Sequence, residues 1–523
     1  MNWTKALALI VGAFLLAGTT SSRGDSGEMA LPPGEHARNY LSGVDNTFQP
    51  WHLFVPIAAE KGEPLPLAVV LHGRGATWQA WFHATTVTDW AEAEGYFVAA
   101  PHGRGDWFYH GPGEQDVLDV MAEVEALFPI DKDRVYIMGH SMGGYGALHL
   151  AAAYPDKFAS VVAMSCWAPL DRLENLRHAQ PLLMHGLADD VVPPEGTGLA
   201  AGRLEELGIA HRHVPLPGRG HESSLISDSL LFIGEWLRDK ERTEEPRGIS
   251  LRLYTPSHGS AWWVRVLQVR TPGDLAALDA QVLDEDEVLE ISTGNVARFT
   301  LRREVPGLNG VGYTVKLDGE DFALPEEDGP WLLFERERRV WTVSAAENPP
   351  GATVPNFGVA SHVPKNMPQA IARTLQNRVE ADAFLLPEVY AAREVLYTHW
   401  TLDVLLDLYL HPEDEIHVAE LTSAEFDTLL ETRDDWYPGW WDELIVSPPL
   451  PEDEDPEEAE DADAEADPEA GDDVVLEDGG QEFLRVAFPA VLAEKIAHES
   501  SPTGITVRRT LVEHVASGQL LRE

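Results

Sequence analysis

The chain has 523 residues, of which 44% are hydrophobic, so it can form sizeable cores and is long for a single domain. Acidic residues number 87 and basic residues 38, giving a net charge of −49. So negative a chain repels phosphate backbones and anionic lipids, which argues against nucleic-acid binding. Because Cys166 is the only cysteine, an intramolecular disulfide is excluded.

The first residues have the pattern of a secretory signal peptide. Lys5 precedes an apolar run from Ala6 to Gly18, and small residues follow up to Ser22. We therefore assign residues 1–22 to a signal peptide and expect a secreted or periplasmic protein without stable membrane insertion after cleavage. The run is short for a membrane span, so anchoring by an uncleaved signal is the alternative.

Residues 40–240 have the pattern of a parallel sheet covered by helices on both faces. Apolar runs without alternation lie at 65–71, 95–100, 135–138, 160–165 and 181–185, with helical stretches between most of them. Strands that are buried on both faces have this composition. We therefore predict an α/β fold. Ligands of such sheets bind beyond the carboxyl ends of the strands, so residues that follow the runs are the candidates for a site.

A candidate nucleophile follows the run at 135–138. In Gly139-His-Ser-Met-Gly143 the serine lies between a strand and a helical stretch, with glycines two residues before and two residues after it. This order is required by a nucleophile elbow, in which a sharp turn exposes the serine and small neighbours let the chain segments pass. Ser141 is therefore the predicted nucleophile.

A candidate acid and a candidate base come later, in the order expected for this fold. Asp189 lies on the turn after the run at 181–185 and is the predicted acid. His211, His213 and His221 can each follow it as the base. We prefer His221 because it lies in a glycine loop just before a helix, whereas the other two lie in a strand-like run.

Two backbone N–H groups are candidates for an oxyanion hole. One is the N–H of Met142, directly after the serine, and the other is that of Arg74 in His72-Gly-Arg-Gly75, with Gly75 as the alternative. The same tetrapeptide recurs at 102–105 after the next strand, where we predict a loop at the rim of the site.

Together these segments resemble the α/β-hydrolase superfamily, and most closely the secreted polyhydroxybutyrate-depolymerase-like and feruloyl-esterase-like esterases, which are related to prolyl-oligopeptidase-type hydrolases. The resemblance covers about residues 40–240. It implies an acyl-enzyme mechanism in which Ser141 attacks a carbonyl, His221 transfers the proton and Asp189 supports the imidazolium. No cofactor or metal is expected.

The substrate is predicted only by class. Trp78, Trp107, Tyr109 and Trp167 lie near the predicted active edge and are candidates for stacking on an aryl or sugar-linked acyl group, although packing of helices on the sheet explains them equally well. We expect cleavage of a carboxylic ester, either a polyester or an aryl ester. The alternatives are a prolyl-oligopeptidase-like peptidase and an inactive scaffold or polymer-binding protein. The oligomeric state is not predicted.

The remaining residues fall into four predicted parts. Short alternating runs at 248–345 indicate a β-sandwich-like accessory domain. Apolar spacing predicts a helical region at 352–446 and a helical tail at 481–523. Between them, residues 451–480 are rich in acidic residues and are predicted to be a disordered linker.

Overall fold

A computed structural model describes residues 31–44, 47–106, 108–271, 274–283, 287–308, 312–326, 329–338 and 340–348, together with the backbone of five later strands. The predicted signal peptide at 1–22 and the predicted acidic linker at 451–480 lie outside the described residues. Within the part that is described, no helix is both long enough and apolar enough to cross a membrane.

The first part of the chain forms the predicted sheet, with eight strands in the order β1-β2-β4-β3-β5-β6-β7-β8. The strands are β1 (Gly34–Leu41), β2 (Phe48–Val55), β3 (Leu65–Leu71), β4 (Phe97–Pro101), β5 (Ile130–His140), β6 (Ser160–Met164), β7 (Gln180–Gly186) and β8 (Arg212–Leu216). Strand β2 is antiparallel to both β1 and β4, and all other neighbours are parallel. The parallel α/β sheet predicted from the apolar runs is therefore confirmed, whereas β1 was missed.

Helices cover both faces of this sheet. They are α1 (Ala80–Ala84), α2 (Val87–Glu94), α3 (Pro112–Leu127), α4 (Met142–Ala153), α5 (Glu195–Glu206) and α6 (Ser224–Leu237). On one face, α1, α2 and α6 share a buried core with alternate strand residues such as Ala68 and Val70. Because strand side chains alternate between faces, Leu67 and Val69 point to the other side, where α4 is buried throughout its length.

Residues 248–346 form two five-stranded sheets. Their strands are β9 (Gly248–Leu253), β10 (Ser260–Ala261), β11 (Val264–Val269), β12 (Ala276–Leu283), β13 (Val288–Gly294), β14 (Val296–Arg302), β15 (Thr314–Leu317), β16 (Glu320–Ala323), β17 (Trp331–Glu337) and β18 (Val340–Ala346). The orders are β10-β11-β14-β17-β18 and β16-β15-β13-β12-β9. Residues of both sheets belong to one buried core, which includes Leu278, Phe299 and Phe334.

The last five strands correct part of the prediction for the end of the chain. They are β19 (Ala383–Pro387), β20 (Glu415–Leu421), β21 (Leu444–Ser447), β22 (Leu484–Pro489) and β23 (Ser501–Thr506), which pair in the order β21-β19-β22-β20-β23. The helical assignments at 352–446 and 481–523 are therefore wrong at these segments. The leucine spacing outweighed the period-2 alternation of β20 and β22 and the β-branched run in β21, which favour strands. The other residues of both ranges lie outside the described part.

A buried carboxylate joins the first sheet to the part that follows it. Glu114 in α3 accepts hydrogen bonds from His149 Nε2 at 2.8 Å, from His258 Nε2 at 2.9 Å and from the hydroxyl of Tyr154. His258 lies in the short turn between β9 and β10. Burial alone would raise the pKa of Glu114, but the electrostatic interaction with the nearby His258 and these hydrogen bonds outweigh burial and hold the pKa well below its usual value.

Burial lowers the pKa of a set of histidines throughout the described part. They are His52, His102, His110, His140, His149, His178 and His213. For His149 the pKa falls to about 4. Below pH 6.5 these histidines therefore bind more protons in the unfolded chain than in the folded chain. The free energy of unfolding decreases as the pH is lowered from 6.5 toward their pKa values in the folded chain.

We predict that the midpoint of thermal unfolding drops between pH 7 and pH 5. Each fully buried histidine contributes a slope of up to roughly 1.4 kcal/mol per pH unit in this range. Calorimetry of the wild type and of His110→Phe tests this, because both ring nitrogens of His110 are buried with no hydrogen-bond partner among the residues that the structure describes. The variant should show a shallower pH dependence. A midpoint that does not change from pH 7 to pH 5 would contradict the prediction.

Candidate active site

Ser141 lies on the sharp turn between β5 and α4. Its φ of 59° is positive, a conformation that residues other than glycine rarely adopt. The Ser141 N–H donates to Met164 O at 2.8 Å, which fixes the turn against the end of β6. The serine side chain thereby lies at the carboxyl edge of the sheet, as the elbow prediction requires.

The glycines around Ser141 are required because neighbouring backbone comes too close for a side chain. A Cβ added to Gly139 would lie 2.1 Å from Gly143 O, and one added to Gly143 would lie 2.2 Å from Leu71 O. Helix α4 therefore passes against the ends of β5 and β3 with no space between them.

The structure brings Ser141, His221 and Asp189 together. His221 Nε2 lies 2.9 Å from Ser141 Oγ, and His221 Nδ1 lies 2.8 Å from Asp189 Oδ2. Asp189 follows β7, and His221 lies in the loop between β8 and α6. These are the distances that a hydroxyl, a base and the group that orients the base need for proton transfer.

The Asp189 carboxylate is buried and ionised. Its side chain is fully inaccessible to solvent, and its Oδ1 accepts the N–H groups of Val191 at 3.0 Å and Val192 at 2.8 Å. Burial would raise its pKa, but hydrogen bonds from His185, His221 and Val192 outweigh burial and hold the pKa far below the usual value. Asp189 is therefore negatively charged beside His221 at neutral pH.

The neighbouring acid and the other histidines have different environments. Asp190 is exposed. His211 Nδ1 is 2.9 Å from Ile209 O, and His213 lies in β8. His140 packs against the His221 ring with 4.8 Å between centroids, and burial, followed by the proximity of His221, lowers its pKa to about 3. His140 is thus neutral at physiological pH.

The loop after β3 lies beside the serine. A Cβ added to Gly73 would be 3.5 Å from the Ser141 Cβ, so Gly73 lies next to the nucleophile. The Gly75 N–H donates to Asp106 Oδ1 at 2.7 Å, which makes the alternative donor unavailable. Met142 is the first residue of α4, where backbone N–H groups have no partner within the helix.

The four aromatic candidates have different environments. Trp78 is half-buried and packs edge-on against His102 with centroids 4.8 Å apart, and Trp167 is half-buried after β6. Trp107 lies outside the described residues. Tyr109 is fully buried, so its prediction as a substrate-stacking residue is wrong. Its ring fills the space left by Gly103 and Gly146, which have no side chains.

Sequence reasoning missed two residues that contact the site. His185 Nε2 lies 3.3 Å from Asp189 Oδ2 and 3.0 Å from Val192 O, and the side chain is almost completely buried. Asp106 binds the loop beside Ser141. Both stand directly within or after a motif that the sequence shows, His185-Gly-x-x-Asp189 and the repeated His-Gly-Arg-Gly. Their positions relative to these motifs were the sequence signal that could have identified them.

The loop that carries His221 is held by an ion network. Arg219 donates to Glu222 Oε1 at 2.6 Å and to Asp228 Oδ2 at 2.7 Å, and its carbonyl accepts the Ala188 N–H at 2.8 Å. The last bond joins the loop of the base to the loop of the acid. The relative position of His221 and Asp189 is therefore fixed by backbone as well as by their own hydrogen bond.

The described part offers little for metal or thiol chemistry. No group of three or more His, Cys, Asp or Glu side chains in it is arranged to hold a metal ion. The thiol of Cys166 is fully buried, and burial raises its pKa far above the usual value, so it stays protonated.

The order of strands and the position of the serine turn define the class of protein. An eight-stranded, mostly parallel sheet with a serine turn after β5, an aspartate after β7 and a histidine after β8 has the arrangement of the α/β-hydrolase fold. Residues 41–191 match the Esterase family model, which carries the description "Putative esterase". Residues 41–191 are thus similar to the α/β-hydrolase esterases.

Curated relatives agree with this family. The chain is 30% identical over 167 residues to "Putative esterase NocK" of Nocardia uniformis subsp. tsuyamanensis, covering 29% of this chain and 48% of that protein. It is 30% identical to poly(3-hydroxyoctanoate) depolymerase of Pseudomonas fluorescens, covering 24% and 54%, and 31% identical to feruloyl esterase B of Thermothelomyces thermophilus, covering 22% and 45%. The chain thus spans about half the length of these relatives.

We predict that Gly143→Ala prevents folding of the esterase domain. The added Cβ would meet backbone atoms of Leu71 and His72 at less than 3 Å, and neither can move without displacing β3. Gly198→Ala is the matched control, because it is a helical residue of α5 and no atom of the described part of the chain lies within 4 Å of its Cβ position. The control should be stabilised by roughly 0.5–1 kcal/mol. Soluble yield and thermal unfolding distinguish the two, and a folded Gly143→Ala variant would contradict the prediction.

Proposed function

We propose that the protein is a serine carboxylesterase that cleaves a polyester or an aryl ester through an acyl-enzyme. The observation that supports this most directly is the continuous set of hydrogen bonds from Ser141 Oγ through His221 to Asp189. It lies at the edge of the sheet where α/β proteins bind their ligands. The Esterase family match over residues 41–191 points to the same chemistry.

In the proposed first step, His221 Nε2 removes the hydroxyl proton as Ser141 Oγ attacks the ester carbonyl carbon. The carbonyl oxygen becomes an oxyanion, which the N–H groups of Met142 and Arg74 stabilise. When the tetrahedral intermediate collapses, the C–O bond of the ester breaks and His221 returns the proton to the leaving alcohol. Water then attacks the acyl-enzyme by the same route, which releases the acid and regenerates Ser141.

The role of Asp189 in this scheme is electrostatic. When His221 carries two protons, its Nδ1–H faces the ionised Asp189 carboxylate at 2.8 Å, in a site from which water is excluded on the acid's side. A charge pair is stronger there than in bulk water. The acid therefore stabilises the imidazolium and also holds the ring in the tautomer that presents Nε2 to the serine.

Cleavage of an ester rather than a peptide bond is supported by the relatives, whose names describe depolymerisation of a hydroxyalkanoate polyester and hydrolysis of feruloyl esters. The half-buried Trp78 and Trp167 are available for contact with an aryl or extended acyl group. We propose these two as the substrate-binding aromatics.

We also propose that the protein is exported after removal of residues 1–22, and that residues 248–346 act as a β-sandwich-like accessory domain. The basic, apolar and small-residue segments of the N-terminus support export. The common core of the two five-stranded sheets supports the second proposal. N-terminal sequencing of protein recovered from the culture medium or periplasm should begin after residue 22.

We predict that Ser141→Ala abolishes both ester hydrolysis and covalent labelling by a fluorophosphonate. The loss in kcat should be roughly 10⁴- to 10⁶-fold, because the nucleophile is removed while the oxyanion site remains. Asp189→Asn should lower kcat by about 10⁴-fold. Ser223→Ala, which changes an exposed serine outside the triad, should behave like the wild type.

The substrate panel contains polyhydroxyalkanoate oligomers, aryl esters and aminoacyl anilides, with intact-mass spectrometry to locate the label. Turnover of esters with labelling at Ser141 supports the proposal. Preferential cleavage of anilides would contradict the proposal and favour the peptidase alternative. A folded wild type that neither reacts with the fluorophosphonate nor cleaves any substrate would leave a scaffold or binding role.

A further inference from the structure

The second His-Gly-Arg-Gly tetrapeptide, at 102–105, has no role in the steps proposed above. It follows β4, and the first copy, at 72–75, follows β3. These strands are parallel neighbours in the sheet, with Leu67 paired to Phe97 and Val69 to Ala99. Because the carboxyl ends of parallel neighbours lie side by side, the two copies emerge together at the active edge.

Contacts at both ends of the first copy join the two loops. At its start, His72 Nε2 lies 2.9 Å from His102 O, and the two imidazole rings stack with 5.7 Å between centroids. At its end, the Gly75 N–H donates to Asp106 Oδ1 at 2.7 Å. A hydrogen bond to a carboxylate at this distance is among the stronger ones that a backbone N–H forms.

The loop that carries Asp106 is itself fixed to the domain interior. Arg104 donates from Nε to Asp116 Oδ2 at 2.9 Å and from a terminal nitrogen to Ser42 Oγ, also at 2.9 Å. The side chain of Asp116 is almost completely buried, and Tyr40 donates to its other oxygen at 2.7 Å. The carboxylate of Asp106 is therefore presented by a loop with an anchored side chain.

The bond to Asp106 fixes one end of the oxyanion loop. Gly75 is held with its N–H on the carboxylate, and the Ala76 N–H donates to Gly73 O at 3.2 Å to close the turn. These two bonds fix the peptides on either side of Gly75. The start of the same loop, at Gly73, lies next to Ser141.

From these contacts we infer that Asp106 is a positioning residue for the oxyanion hole: its carboxylate holds the Gly75 N–H and thereby keeps the loop that contains the proposed Arg74 donor in place beside Ser141. This inference rests on the proposed esterase function. It deepens that function by assigning the second His-Gly-Arg-Gly loop to stabilisation of the transition state.

Asp106 affects the oxyanion hole in two opposite ways: its oxygen accepts the hydrogen bond that holds the loop, and its negative charge is unfavourable near an oxyanion. Two substitutions separate these effects. Asp106→Ala removes the acceptor, so the oxyanion loop loses a constraint. Asp106→Asn keeps an oxygen acceptor but removes a negative charge from the neighbourhood of a developing oxyanion, where a carboxylate is unfavourable. Asp190→Ala removes an exposed carboxylate from a different loop of the same edge and is the control for charge alone.

Kinetics on the wild type and these three variants test the function of the bond. For Asp106→Ala we expect kcat to fall about 10- to 100-fold with KM within about twofold, because a misdirected donor is felt mainly in the transition state. A trifluoromethyl ketone, which forms a tetrahedral oxyanion adduct on the serine, should bind more weakly by a similar factor. Binding of the carboxylic acid product should change little. Asp106→Asn should recover most of the loss.

A second measurement tests the positioning without any turnover. Hydrogen exchange of the peptide that contains Gly75, followed by mass spectrometry, should be faster in Asp106→Ala than in the wild type and in Asp106→Asn. Unchanged exchange in Asp106→Ala would overturn the inference, whatever the activity. So would equal kinetic losses in the Ala and Asn variants, or unchanged affinity for the ketone. If Asp106→Ala shows the faster exchange but the wild type does not react at Ser141, the esterase function is refuted instead.

Discussion

The close passage of α4 across the ends of β3 and β5 determines the geometry of the site. No side chain fits at Gly139 or Gly143, where an added Cβ would lie about 2 Å from backbone oxygens. The chain can turn between strand and helix in so little space only with Ser141 at a φ of 59°. Such a conformation costs roughly 1–3 kcal/mol and persists where surrounding packing enforces it. Burial of every residue of α4 provides that packing and leaves the serine hydroxyl at the edge of the sheet.

Two buried carboxylates, Asp189 and Glu114, connect elements that are distant in sequence. An uncompensated buried charge costs several kcal/mol, so each requires donors in fixed positions. Asp189 receives them from its own loop and from His221, 32 residues later. Glu114 receives them from His149 and from His258, which is 144 residues away. Satisfying the first carboxylate assembles the proposed acid and base, and satisfying the second joins α3, α4 and the β9–β10 turn.

The parts of the site that the sequence predicts are those with local determinants. Ser141, Asp189 and His221 each follow a strand in a short segment rich in glycine or turn residues, so their order along the chain is enough to predict that they come together. The prediction for Tyr109 was wrong because its surroundings come from distant parts of the sequence. Gly103 and Gly146, from separate elements, together leave the space that its ring fills. Asp106 was missed for the same reason, since its partner Gly75 follows a different strand. Strands β19 to β23 were missed because the secondary structure of a short apolar segment depends more on its pairing partners than on the spacing of its leucines.

Hydrogen bonds to α4 connect the residues that follow the first sheet to the helix that begins directly after the proposed nucleophile. Ser141 precedes the N-terminal end of α4, and His149 and Tyr154, near its other end, share Glu114 with His258. A second link is formed by Asn175, which donates to Arg252 O at 2.9 Å and accepts the Arg252 N–H at 2.7 Å. Because the elbow tolerates no displacement of α4, bonds that fix this helix also fix Ser141. Residues 248–346 can therefore support the proposed reaction through the position of α4 without contributing a side chain to it.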